Sequence, residues 1–159
     1  MKKHTLNLTI FTGLPEDWDY KPGSSQNHFM LRHINEWFYN DLAGLQCDPA
    51  AVGFKKIIIK PVPVGDLTWV KAHYDSLNGR IVSNWTRDGA KLTMDVTIPV
   101  NTTATVYVSA KDAVGVTESG KPAAQAKSVK FLRLENGAAM YEVGSGTYRF
   151  QATLPKTVK

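Results

Sequence analysis

This chain has no apolar run long enough to cross a bilayer, a single cysteine, and no cluster of basic charge. Each shortage narrows what it can be. Without an unbroken hydrophobic segment of about 20 residues, no membrane partner is expected. With Cys47 alone, no internal disulfide can form and no cysteine zinc cluster can be built. The thiol is expected to be small and buried behind a helix. The 19 Lys and Arg outweigh the 14 Asp and Glu to give a net charge of +5, but only Lys2-Lys3 and Lys55-Lys56 stand together. Nucleic-acid binding would call for a basic stripe with aromatic platforms, so the charge reads as a solubility property and no nucleic-acid partner is expected. Met1-Lys2-Lys3-His4 and the stretch Leu6 to Phe11 have the outline of a secretory leader. Thr5, Asn7 and Thr9 break its apolar part, and no small-residue cleavage site follows. The stretch therefore reads as a divergent or truncated leader rather than a convincing signal peptide, and the compartment, cytoplasmic or periplasmic, stays open.

The composition that remains, 43% hydrophobic and 21% charged over 159 residues, is that of a folded chain holding one domain, or a domain plus a piece of another. Residues 1 to about 22 show little period, although Leu6, Leu8 and Ile10 alternate as a short strand does. From Asn27 to Leu45 the apolar residues Met30, Ile34, Trp37, Phe38, Leu42 and Leu45 recur at helical spacing. Ser24 or Ser25 can cap the start of that helix, Gly44 suits its end, and Pro49 blocks a restart. Phe29, Trp37 and Phe38 widen the apolar stripe, so the helix is expected to be covered on more than one side. Beyond Phe54 the period changes to two: Ile57 and Ile59; Val70, Ala72 and Tyr74; Ile81, Ser83 and Trp85; Leu92 to Ile98; Ala104 to Val108; Val129, Phe131, Tyr141, Val143, Tyr148 and Phe150. Asn78-Gly79, Asp88-Gly89 and Asn136-Gly137 read as tight hairpin turns, because both central residues tolerate positive φ. Residues 111–128 read as a long surface connection. The fold class predicted is mainly β, an antiparallel, jelly-roll-like β-sandwich preceded by one long α-helix.

With the elements placed, an ordered set of motifs stands out. These are Ser25-Gln26-Asn27-His28, Glu36-Trp37-Phe38-Tyr39 with Ala43-Gly44-Leu45, Asp48-Pro49 and Gly53-Phe54-Lys55. They continue with Tyr74-Asp75-Ser76, Gly79-Arg80-Ile81, Pro99 with Asn101 to Tyr107, and Gly144-Ser145-Gly146-Thr147-Tyr148. In this order and spacing, over roughly residues 14 to 152, they resemble the C-terminal end of bacterial α-L-rhamnosidases, glycoside hydrolases of family 78. In that family a catalytic (α/α)6 barrel precedes a C-terminal β-sandwich. The resemblance therefore implies that residues 1–48 are a remnant of the barrel, with its last helix at about 27–45, and that residues 54–159 are the sandwich. It also implies inverting hydrolysis of terminal α-L-rhamnosides by the full enzyme, with rhamnose-containing glycan as substrate and the missing barrel as partner.

Inversion uses a carboxylic acid and a carboxylate base about 6.5–9.5 Å apart. The family's base lies in a Trp-Glu-x-Trp segment shortly before the Asn-His motif. The corresponding residues here are Leu14-Pro15-Glu16-Asp17-Trp18, with proline in place of the first tryptophan. Glu16 thus resembles the general base, Trp18 a wall of the sugar site, and His28 the substrate-contacting histidine, whose imidazole can donate or accept towards hydroxyls. The plain alternative is that Glu16 and Asp17 are solvated loop acids and His28 a capping residue. No general acid has a candidate, so the chain alone is expected to be inactive. His28 and His33, five apart, do not share a helical face, and neither a metal nor a cofactor is implied. Two other readings remain. Trp69 and His73, on one strand face with Lys71, could contact a glycan as a binding module does, although a single aromatic is more often packing. The helix face of Met30, Ile34, Trp37 and Phe38 could instead join copies of the chain.

Overall fold

The computed structural model describes residues 6–7 and 33–155. Its body is a sandwich of two sheets, built because the alternating residues of each strand bury one side. The strands are β1 (Leu6–Asn7), β2 (Leu45–Cys47), β3 (Lys56–Ile59), β4 (Trp69–Ser76), β5 (Gly79–Asp88), β6 (Lys91–Ile98) and β7 (Thr103–Ser109). They continue with β8 (Thr117–Glu118), β9 (Lys121–Pro122), β10 (Val129–Glu135), β11 (Ala138–Val143) and β12 (Gly146–Thr153). One sheet has the order β1-β4-β5-β6-β12-β8-β9 and the other β10-β11-β7-β3-β2. Pairing is antiparallel except for β1 with β4 and β3 with β7, which are parallel. The predicted sandwich is therefore present, with two parallel joins that the alternating pattern does not reveal.

The core lies between the sheets. Ile81, Ser83 and Trp85 of β5 and Leu92, Met94, Val96 and Ile98 of β6 are all buried, facing Ile57, Ile59, Val106, Val108 and Tyr141 from the other sheet. Tyr141 stacks on Phe150 across the interior, centroids 5.6 Å apart. Its hydroxyl, 3.4 Å from the Ala113 carbonyl, can donate there.

Several expectations need correction. The helix expected over about 27–45 is present over the described 33–42 but ends earlier: α1 runs His33–Trp37 and continues as a π-helical turn, Phe38–Leu42, with β2 beginning at Leu45. Residues 27–32 lie outside the described set. Cys47 is exposed, because it ends the edge strand β2, and its Sγ lies 3.7 Å from the carbonyls of Asp48 and Ala51. Phe131 is exposed for a similar reason, standing on edge strand β10. Residues 111–128 are more than a connection: β8 and β9 extend the larger sheet, and Val116 and Ala123 enter the core. Of the three hairpins, only Asn136-Gly137 has positive φ at both central residues, 50° and 74°. The β4–β5 turn is centred on Leu77–Asn78 with Gly79 following at φ 118°, and the β5–β6 turn on Gly89–Ala90 with only Gly89 positive.

Candidate functional site

The helix meets the sandwich at its C-terminal end, where a helix leaves its last carbonyls without intrahelical partners. Here the sandwich supplies a donor to each of five consecutive carbonyls. The Gln46 side-chain amide donates to Asn40 O (2.8 Å), the Val62 amide to Asp41 O (2.9 Å), and the Trp85 indole to Leu42 O (2.8 Å). The Ser83 hydroxyl donates to Ala43 O (2.6 Å) and the Lys60 amide to Gly44 O (2.8 Å). Gly44 is at φ +70°, and a Cβ there would sit 2.1 Å from the Pro61 nitrogen. Only glycine admits so close a backbone approach. Leu42, Ala43 and Leu45 are buried, so the centre of the joint between helix and sheets is apolar as well as hydrogen-bonded.

One turn earlier, no described part of the sandwich buries the helix. α1 buries no residue, and Ile34 and Trp37 stay 48% and 41% exposed. The apolar stripe continues past the point where the sandwich can cover it.

Comparison with known proteins bears on what this joint belongs to. The family described as "Bacterial alpha-L-rhamnosidase C-terminal domain" matches residues 44–123, about half of the chain, starting at the glycine of the joint. The chain belongs to this family. It is 32% identical over 127 residues to an α-L-rhamnosidase of Streptomyces avermitilis, and 29% identical over 129 residues to one of Formosa agariphila. These alignments cover 80% and 81% of this chain but 11% and 14% of the relatives. The fold is similar to the crystal structure of the Streptomyces avermitilis α-L-rhamnosidase complexed with L-rhamnose: TM-score 0.70, 31% identity, 82% of this chain and 12% of that one. For the α-L-rhamnosidase of Dictyoglumus thermophilum the values are 0.68, 29%, 86% and 15%. The chain thus spans only about a tenth to a seventh of the length of the curated relatives it matches.

The residues singled out from sequence fall in two groups, of which only the second lies within the matched family domain. Glu16, Trp18 and His28 lie outside the described residues. Trp69 and His73 are on the outer face of β4, Trp69 half-buried and His73 exposed. Four residues apart on a strand, they are roughly 13 Å from one another, too far to touch one sugar ring together. The Lys71 ammonium stands 5.8 Å from the Trp69 ring centroid and covers a face that a sugar would need. Beside them a polar row, Lys71, Asn84, Asp95 and Arg149, runs across β4, β5, β6 and β12. Among the described residues no group of three or more His, Cys, Asp or Glu could hold a metal ion.

Sequence reasoning did not single out Ser83, Trp85, Gln46 or Lys60 as the donors at the joint. Alternation placed Ser83 and Trp85 on the core face, and a polar hydroxyl at an otherwise apolar core position was the available signal.

Proposed function

We propose that this chain is the C-terminal β-sandwich of an α-L-rhamnosidase, joined to the last helix of its catalytic barrel, and that the sandwich serves to fix that helix. The observation that carries this reading is the unbroken set of sandwich donors to the carbonyls of Asn40 to Gly44. A helix end held by five hydrogen bonds and a buried glycine contact has little freedom to tilt. The helical segment 33–42 is then held in a fixed relation to the sandwich. In sequence, what precedes it is the Ser25-Gln26-Asn27-His28 loop. We assign His28 to contact with the sugar hydroxyls, Trp18 to a wall of the sugar site, and Glu16 to the general base that activates water for inversion. The exposed Ile34 and Trp37 are the surface on which neighbouring barrel helices would pack.

No residue of this chain is assigned as the general acid, which must protonate the leaving oxygen. The purified chain is therefore expected to leave an aryl α-L-rhamnoside unhydrolysed. The test is release of the aryl alcohol over a buffer blank, and turnover above that blank would overturn the reading of this chain as a supporting unit.

A further inference from the structure

At one end of the sandwich a cleft of about 300 Å³ opens between the Lys60–Pro63 crossover, the end of β5 at Arg87, and β7 at Tyr107 and Ser109. The Asn136 hairpin tip and Leu154–Pro155 close its remaining sides. That volume lies at the small end of ligand sites and suits a single ring rather than a chain of them. Two of its lining residues are cations, and none is a carboxylate. Elsewhere on the surface arginines are neutralised: Arg80 by Asp75, Arg133 by Glu135, Arg149 by Asp95. Among the described residues Lys60 and Arg87 have no such partner. The Lys60 ammonium is held 5.1 Å from the Tyr107 ring centroid. Arg87 uses one Nη to donate to the Gly65 carbonyl at 2.8 Å, which leaves other guanidinium N–H groups available.

We propose that this cleft binds a carboxylated monosaccharide, a hexuronate. Two cations without a counter-ion among the described residues call for an anion. The rest of the lining decides which kind. Inorganic phosphate would leave the apolar walls of Pro61, Pro63, Leu154 and Pro155 unused. A fatty acid would leave Ser109 and Asn136 facing hydrocarbon, with their hydrogen bonds unmade. A hexuronate answers every side: its carboxylate to Lys60 and Arg87, its hydroxyls to Ser109 and Asn136, and the apolar face of its ring to the prolines. The Tyr107 face is occupied by the ammonium, so its part is to hold the cation in place.

The site is complete within this chain, so its test does not depend on the catalytic assignment above. Amide chemical shifts of the whole chain would be followed during titration with sodium galacturonate, and separately with galactose and with inorganic phosphate. Saturable shifts confined to the cleft are expected with galacturonate at millimolar affinity. Lys60→Gln and Arg87→Gln should each weaken binding roughly tenfold while leaving the far-UV circular dichroism unchanged. Galactose binding as tightly as galacturonate would overturn the anion, and phosphate binding as tightly would overturn the sugar. Absence of saturable cleft shifts with galacturonate, or binding indifferent to both substitutions, would overturn the site.

Discussion

A serine side chain shut away from water is a liability unless its hydroxyl is used. Ser83, with no exposed surface, donates its proton to Ala43 O. In Ser83→Ala that carbonyl would be left buried without its partner, at a cost of about 1–3 kcal/mol. Denaturant unfolding should show the loss. Amide exchange should quicken in residues 38–44 while the β5 and β6 ladder stays protected, which separates a loosened joint from a weakened core. Tyr141 carries a second consequence. Burial pushes its phenol up to about 12, against about 10 in an unfolded chain. Between those values the unfolded state gives up a proton that the folded state keeps. Stability from this group is therefore intact below about pH 10 and falls as pH rises towards 12, by about 2–3 kcal/mol in all. In Tyr141→Phe that fall should vanish. Unfolding curves for both proteins at stepped alkaline pH should converge or cross, and parallel curves would contradict the assignment. That Tyr141 faces inward was legible from alternation with Val143. Its depth, and the near-contact with Ala113 from a segment read as surface loop, were not, because both depend on how that segment folds back.

Among the elements, the hairpins show where sequence reading succeeds and where it slips. Asn136-Gly137 closes a two-residue loop with both residues at positive φ, as the dipeptide predicts. Asn78-Gly79 does not, because the register pairs Ser76 with Gly79 and puts Leu77, 99% exposed, into the turn. A dipeptide signals a turn, but the pairing of the flanking strands decides which two residues sit in it. Gly137→Ala should accordingly cost about 1 kcal/mol, through backbone strain alone, since the nearest atom to an added Cβ is 3.8 Å away. At Leu77 a change to Asp should stay within about 0.5 kcal/mol. Thermal unfolding of the two variants side by side tests the contrast, and equal losses would refute it. The extent of β8 and β9 escaped the sequence for a related reason. Strands of two residues, Thr117–Glu118 and Lys121–Pro122, are too short to show a period. β8 exists because β12 offers it an edge to pair with, and β9 because β8 does.

For the molecule as a whole, the sandwich was readable because period-two burial repeats in strand after strand. The helix was harder, because the described part of the sandwich covers only one end of its apolar stripe. The C-terminal end of the helical segment meets the sandwich through Leu42 and the donors to Asn40–Gly44, whereas Ile34 and Trp37 are exposed on the turn before. A surface with that division should behave as an interface: it contributes little to the fold that carries it and much to association. Ile34→Ser with Trp37→Ser should therefore change the unfolding free energy by about 1 kcal/mol or less, since α1 buries no residue. The same double variant should lower self-association. Sedimentation of the unaltered chain is expected to show a weight that climbs with concentration, and the variant should remain monomeric over the same range. If the unaltered chain is itself monomeric at the highest concentration, the face does not join copies of this chain. If the variant unfolds, the stripe belongs to the core of this domain, and the division between an anchored end and an open end of the helix is wrong.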